Sequence, residues 1–176
     1  MEYCSTCGTR LIEKELEHEG IVPYCSTCQK YCFPLYNTAV SMIVLNPALD
    51  KILLIQQYQK ANNVLVAGYI NKGESAEEAL FREMREEIGR EIRGYRYLKS
   101  EYFPKTNTLI FNYAVIIDSE SLENVSDWEV DKAQWFSLKE ARKAVKPDSL
   151  AQRFLWNFLD TYSKEQKDFF TYLQYR

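Results

Sequence analysis

Histidine is nearly absent from this chain, in which His18 is the single example among 176 residues. Hydrolases with a Ser-His-Asp or Cys-His mechanism need a histidine that acts as the base. His18 lies in the polar segment LIEKELEHEG, where we expect it to be exposed to solvent. The sequence therefore argues against both mechanisms.

An excess of positive charge and long apolar runs are also missing. The chain has 22 Lys and Arg against 25 Asp and Glu, a net charge of −3, which argues against a nucleic-acid partner. The longest apolar segments, around 39–45 and 114–117, are too short to cross a bilayer. The start, MEYCSTCGTR, is too polar for a signal peptide. We expect a cytoplasmic protein that does not associate with membranes.

Four of the five cysteines form two Cys-x2-Cys pairs, Cys4 with Cys7 and Cys25 with Cys28, separated by 17 residues. This spacing is typical of a four-cysteine zinc ribbon. Disulfides are the less favoured alternative in a cytosolic chain. Four thiolates leave no open position on the ion, so we expect the zinc to be structural. Cys32 has no obvious partner and is expected to be a buried or spectator thiol rather than a ligand.

The domain boundary is predicted near Phe33-Pro34, which gives a zinc ribbon at 1–34 and a larger domain at 35–176. Strands are predicted at 38–45, 51–57, 64–67, 91–102, 108–118 and 133–136, and helices at 75–88, 138–146 and 149–162. This order predicts an α/β fold with a mixed sheet between helical layers. The aromatic tail, FFTYLQYR, could dock on the core or on a partner subunit.

The segment GYINKGESAEEALFREMREEIGR, at 68–90, is the most informative stretch. Ser75 is a plausible helix N-cap with Glu78 at the capping-box position, and Gly89 would end the helix. Helical spacing places Glu83, Glu86 and Glu87 on one narrow face.

Carboxylates gathered on one face repel one another, and a divalent cation removes that problem. Hard oxygen ligands suit Mg²⁺ or Mn²⁺. The carbonyl of Ala67, at the end of the preceding strand, is placed to face the same ion. The alternative is a solvated, charge-rich helix with no ligand.

This segment resembles the Nudix box, the signature of hydrolases that act on nucleoside diphosphates linked to another moiety. The pattern is G-x5-E-x7-R-E-U-x-E-E-x-G, where U is apolar; its positions are Gly68, Glu74, Arg82, Glu83, Met84, Glu86, Glu87 and Gly89. Arg90 stands where the family has an apolar residue. The resemblance implies a Nudix α/β/α sandwich.

The cysteine pairs ahead of the box resemble the NADH pyrophosphatase group, which cleaves NAD(H) to nicotinamide mononucleotide and AMP. The large N-terminal domain of longer relatives has no counterpart in this sequence. Residues 100–110 partly match the specificity motif of that group. The resemblance implies substrate contacts at Phe33, Glu101, Tyr102, Phe103, Thr108 and Ala151. Glu101 replaces a neutral amide, which leaves NADH, NAD and ADP-ribose open as substrates.

The resemblance also implies a mechanism. The carboxylates of Glu83, Glu86, Glu87 and Glu129, with the Ala67 carbonyl, would hold divalent ions that bridge the diphosphate. Glu86 or Glu87 would remove a proton from the attacking water. Arg82 would orient Glu74 or Glu83, or else form a surface ion pair of little value. Relatives are dimers, so a homodimer is possible.

Two other functions stay open at this point. A zinc-ribbon module that binds nucleic acid or protein could carry a Nudix domain that senses a nucleotide without cleaving it. A nucleoside triphosphate pyrophosphohydrolase would fit the box equally well but would leave the cysteine module unexplained.

Overall fold

The structure is a computed structural model that describes residues 2–162 and 170–172. The chain divides into two compact units, Met1–Tyr36 and Asn37–Arg176. The boundary predicted between residues 34 and 35 lies two residues before this division.

The first unit is a small antiparallel sheet that brings the cysteine pairs together. Its strands are β1 (Ile12–Leu16), β2 (Gly20–Cys25) and β3 (Lys30–Tyr31), in the order β1-β2-β3. His18 and Gly20 form the β1–β2 turn with positive φ angles of 67° and 80°. His18 is exposed, as the sequence predicted.

The second unit is built on a mixed sheet that, in the described residues, has seven strands. They are β4 (Asn37–Leu45), β5 (Lys51–Gln56), β6 (Val66–Tyr69), β7 (Ile92–Phe103), β8 (Thr108–Ile117), β9 (Lys132–Ser137) and β10 (Thr171–Tyr172). The order is β10-β7-β8-β4-β5-β9, and β6 pairs with one end of β4. Strands β4 and β8 run parallel, while the other pairs run antiparallel.

Successive side chains of a strand point to opposite faces of the sheet, so both faces carry apolar residues. Helices cover both of these faces. Helix α1 (Ala76–Glu83) and the turn after it bury Leu80, Met84 and Ile88 against one face. Helices α2 (Leu138–Ala144) and α3 (Leu150–Thr161) cover the other face, with Phe154 and Phe158 fully buried. The predicted α/β/α sandwich is confirmed.

The predicted elements are present with small shifts at their ends. The predicted strand 64–67 is β6 at Val66–Tyr69, since Val64 makes only an isolated bridge to Ile55. Part of the aromatic tail docks on the core: β10 pairs with β7 and Phe170 is buried. The rest of the tail lies outside the described residues. Within the described residues, no helix is long and apolar enough to span a membrane.

Candidate active site

Helix α1 begins with a complete capping box, as predicted. The Ser75 hydroxyl accepts a hydrogen bond from the Glu78 N–H at 3.2 Å, and the Glu78 carboxylate accepts one from the Ser75 N–H at 2.8 Å. In the preceding loop, the Glu74 carboxylate accepts a hydrogen bond from the Asn71 N–H at 2.9 Å. These bonds fix the path of the chain from β6 into the helix.

The second half of the predicted helix is a π-helical turn, Met84–Ile88, which the sequence did not predict. Gly89 ends it with a φ of 67°, in the left-handed region that glycine adopts easily. The Glu87 carbonyl then accepts a hydrogen bond from the Ser126 N–H at 2.9 Å. This bond ties the acidic turn to the loop that carries Glu129. Turns of this kind occur often at functional sites.

Arg82 connects three carboxylates of the acidic motif. It forms a bidentate pair with Glu74 at 2.8 and 2.9 Å, and it also donates to Glu83 at 2.7 Å and to Glu86 at 3.0 Å. A further bond reaches the Tyr69 carbonyl at 2.9 Å. Both partners that the sequence suggested for Arg82 are present. Because the guanidinium is half-buried and planar, this network fixes the carboxylates geometrically.

A cleft of about 380 Å³ opens beside this network. Glu83 at the end of α1 and Glu87 in the π-helical turn line it from one side. The Ala67–Tyr69 stretch of β6 lines it from the sheet, and Glu129 lines it from the loop after β8. The other lining residues are Ala39, Tyr58, Asn71, Arg82, Thr106, Thr108 and Ile110. The cleft therefore gathers three carboxylates from two separate parts of the chain.

Glu87 has the most perturbed carboxylate of the cleft. Burial raises the pKa of Glu87 to about 8, and the negative charges of Glu83 and Glu129 add to the effect. Burial also raises the pKa of Glu83, although Arg82 opposes this shift. The hydrogen bond from Arg82 lowers the pKa of Glu74 to about 2. Crowded, buried carboxylates of this kind are characteristic of functional sites.

The residues fit a divalent cation. Oε2 of Glu87 is buried with no hydrogen-bond partner in the described residues, whereas Oε1 accepts only a long bond of 3.4 Å from Gln57. An unpartnered carboxylate oxygen is costly unless something else satisfies it. The donors at hand are all hard oxygens, which is the ligand set that Mg²⁺ and Mn²⁺ prefer.

The predicted catalytic and metal residues are only partly brought together. Arg82, Glu83, Glu87, Glu129 and Ala67 all line the cleft. Glu86 does not line it; its side chain is 55% exposed and reaches the site through its bond to Arg82.

Among the predicted substrate contacts, Thr108 alone lines the cleft. Glu101 lies on β7 in an ion pair with Arg153 of α3, and Lys99 is also close at 3.4 Å. Burial by itself would raise the pKa of Glu101, but Arg153 and Lys99 outweigh this effect and lower the pKa. The remaining four are placed elsewhere: Tyr102 and Phe103 at the end of β7, Ala151 in the first turn of α3, and Phe33 in the first unit.

Sequence reasoning missed two aromatic residues of the cleft, Tyr58 and Tyr69. Tyr69 directly follows the first glycine of the motif, so its position could have been noticed. Tyr58 lies after β5 in a segment with no recognisable pattern, and only the folded chain shows that it reaches the cleft.

In the first unit, the sulfurs of Cys4, Cys7, Cys25 and Cys28 lie within 4.8 Å of one another. The Cys7–Cys25 and Cys4–Cys28 sulfur distances are 3.5 and 4.0 Å. A tetrahedral zinc with Zn–S bonds of about 2.3 Å requires about 3.8 Å between sulfurs. These thiols therefore fit a zinc ion. Cys32 is buried and lies outside the group, as predicted.

The larger unit is thus an α/β/α sandwich with carboxylates lining a cleft beside its mixed sheet. Residues 35–156 match the NUDIX domain, and the chain belongs to the Nudix family. The fold is similar to that of a NUDIX hydrolase from Nitrosomonas europaea, with a TM-score of 0.64, 16% identity and coverage of 91% of each chain.

Two curated relatives share more of the sequence. The NAD-capped RNA hydrolase NudC of Pseudomonas aeruginosa is 33% identical over 138 residues, which are 77% of this chain and 48% of the relative. The chloroplastic Nudix hydrolase 19 of Arabidopsis thaliana is 32% identical over 156 residues, which are 82% of this chain and 34% of the relative. This chain thus spans about half the length of the first of these relatives.

Proposed function

We propose that this protein hydrolyses the diphosphate linkage of a nucleoside diphosphate derivative with the help of a divalent cation. The main support is that Glu83, Glu87 and Glu129 line one cleft. In the described residues, one carboxylate oxygen of buried Glu87 has no hydrogen-bond partner. Carboxylates crowded in this way suit a cation that also contacts phosphate oxygens.

The charge of the cleft supports the need for a cation. Among its described lining residues, Arg82 is the one cationic side chain, and it is already bonded to Glu74, Glu83 and Glu86. A diphosphate would meet net negative charge in the cleft. A bound Mg²⁺ or Mn²⁺ would offset the negative charge of the carboxylates and attract the diphosphate.

Each residue then has a defined task. Glu83, Glu87, Glu129 and the Ala67 carbonyl would hold the cation, which when bound neutralises the diphosphate and makes water a stronger nucleophile. Arg82 keeps Glu83 in position. Glu86 or Glu87 would accept the proton of the attacking water. Glu87 lines the cleft, whereas Glu86 is held beside it by its hydrogen bond to Arg82.

The substrate is proposed to be NAD(H), a related dinucleotide or ADP-ribose; cleavage of NAD(H) would give nicotinamide mononucleotide and AMP. The support comes from the likeness to NudC and from the cysteine unit that precedes the domain. A second candidate is the NAD cap of an RNA, which the name of that relative favours. It contains the same diphosphate bridge.

The first unit is proposed to be a zinc ribbon, with zinc in a structural role because four thiolates close its coordination. The proposed domains are the ribbon at 1–34 and the Nudix domain at 35–176. A homodimer is proposed on the basis of the family resemblance.

Product analysis tests the proposed reaction. The purified protein is incubated with NADH, NAD, ADP-ribose, a short NAD-capped RNA and nucleoside triphosphates, each with Mg²⁺, Mn²⁺ or EDTA. Mononucleotide products that appear only with a cation would support the proposal. Pyrophosphate released from triphosphates would favour the alternative triphosphatase. Binding with no cleavage under every condition would favour a nucleotide sensor.

A further inference from the structure

Tyr58 presents an almost free aromatic ring at the cleft. Its side chain lines the cleft although the residue is 79% exposed. It also borders a neighbouring depression of about 220 Å³ with Lys60, Asn62 and Lys146. In the described part of the chain, this side chain makes no ring contact or hydrogen bond with the protein. Most of Tyr58 is therefore accessible to a ligand.

The backbone at Tyr58 adopts a conformation that a bulky residue rarely takes. Tyr58 and Gln59 have φ angles of 58° and 56°, in the left-handed region. A glycine or asparagine would fit there with less strain. Strained backbone conformations are found preferentially at active sites and ligand-binding segments.

Contacts on both sides hold this turn against the active site. Before it, Gln57 donates to Glu87 at 3.4 Å. After it, the Gln59 N–H donates to the Asp131 carboxylate at 2.6 Å, and the Asp131 N–H donates to the Gln56 carbonyl at 2.8 Å. The turn that carries Tyr58 is thus attached both to the π-helical turn, through Glu87, and to the loop after Glu129, through Asp131.

We infer that Tyr58 is a base-stacking residue, on which an aromatic ring of the substrate lies while its diphosphate occupies the carboxylate cleft; this rests on the proposed function. A planar tyrosine ring stacks on nucleobases and loses little side-chain entropy on doing so. The substrate class is then a diphosphate with a base attached, rather than an aliphatic or sugar diphosphate.

The test compares Tyr58→Asn, which removes the ring and suits the left-handed backbone, with Tyr58→Phe, which keeps the ring. Tyr97→Ala is a matched control, because Tyr97 is 48% exposed on β7 and does not line the cleft. Two measurements are made with Mg²⁺: turnover of ADP-ribose against base-free 5-phosphoribosyl 1-diphosphate, and calorimetric affinity for a methylene-bridged ADP-ribose analogue that resists cleavage.

We expect Tyr58→Asn to raise KM for ADP-ribose and to weaken analogue binding about 5- to 100-fold, with little change in kcat. Tyr58→Phe and Tyr97→Ala should stay within about twofold of the wild type. Wherever the base-free diphosphate is cleaved, Tyr58→Asn should leave its KM unchanged. Relief of strain should also raise the melting temperature of Tyr58→Asn by about 2–4 °C.

The inference is overturned if Tyr58→Asn binds the analogue as the wild type does, if the base-free substrate suffers equally, or if the wild type does not bind the analogue at all. Failure of the proposed function looks different. In that case the wild type would bind the analogue through Tyr58 but cleave no diphosphate.

Discussion

Gly68 lies directly against the carboxylate of Glu83. A Cβ atom added at position 68 would overlap the Glu83 carboxyl carbon and both of its oxygens. The first glycine of the motif is therefore needed because strand β6 passes so close to the acidic helix. Gly68 has no unusual φ, so the requirement is one of space.

Gly68→Ala should displace the Glu83 carboxylate and lower turnover by about 100-fold, since small displacements of catalytic groups have effects of that size. It should also lower the free energy of unfolding by about 1–3 kcal/mol. The control is a double-mutant cycle with Glu83→Ala, in which the added methyl group has space. An equal loss of stability from Gly68→Ala in both backgrounds would show that the overlap is not its cause.

The Arg82–Glu74 pair should stabilise the fold in a pH-dependent way. The folded-state pKa of Glu74 is lowered from 4.5 to about 2, so its contribution is complete above pH 4.5 and is lost as the pH falls towards 2. The contribution is on the order of 2–3 kcal/mol. Denaturant unfolding of wild type and Glu74→Gln between pH 2 and 6 measures it. Parallel stability curves for the two proteins across this range would contradict the assignment.

The contribution of Glu87 to the free energy of unfolding should change with pH in the opposite direction to that of Glu74. Its pKa is raised to about 8 in the fold, so the folded state holds a proton that the unfolded state releases above pH 4.5. Without a divalent cation, stability should fall as the pH rises from 4.5 to 8, by up to about 4 kcal/mol. Thermal melts of wild type and Glu87→Gln, each with EDTA or Mg²⁺, test this.

In the wild type, Mg²⁺ should remove most of the loss of stability at pH 8, because the cation compensates the buried charge. In EDTA, the melting temperature of Glu87→Gln should vary less with pH than that of the wild type. If Mg²⁺ has the same effect on both proteins at pH 8, Glu87 is not a ligand.

The cysteine unit offers a matched pair of substitutions. Cys25→Ser should abolish binding of about one zinc per chain, as measured by elemental analysis, because it removes one of four ligands. Cys32→Ser alters another buried cysteine, which lies outside the sulfur cluster, and should retain the metal. Equal zinc content in the two variants would refute the assignment.

The sequence was most informative where chemistry and spacing coincide. The capping box at Ser75 and the strands of the mixed sheet follow from local sequence patterns, and the structure confirms them. The clustering of the four cysteines was predictable because two Cys-x2-Cys pairs at this spacing are typical of four-cysteine zinc sites.

Features that depend on long-range contacts could not be predicted. The π-helical turn at Met84–Ile88 coincides with the bond from Ser126 to Glu87, which joins segments almost forty residues apart. Tyr58 reaches the cleft because its turn is attached to Asp131. The pair between Glu101 and Arg153 brings together a strand and a helix that no sequence pattern connects.

The central claim is that Glu87 supports cation-dependent cleavage of a diphosphate, and one comparison tests it most directly. Turnover of NADH, NAD and ADP-ribose with Mg²⁺ or Mn²⁺ is measured for the wild type, Glu87→Gln and Glu91→Gln. Glu91 is a surface glutamate paired with Arg85 at 2.7 Å and serves as the matched control. We expect the wild type and Glu91→Gln to release mononucleotides alike, and Glu87→Gln to be at least about 100-fold slower while still folded. Near-normal turnover by Glu87→Gln, or turnover by the wild type that EDTA does not reduce, would contradict the account.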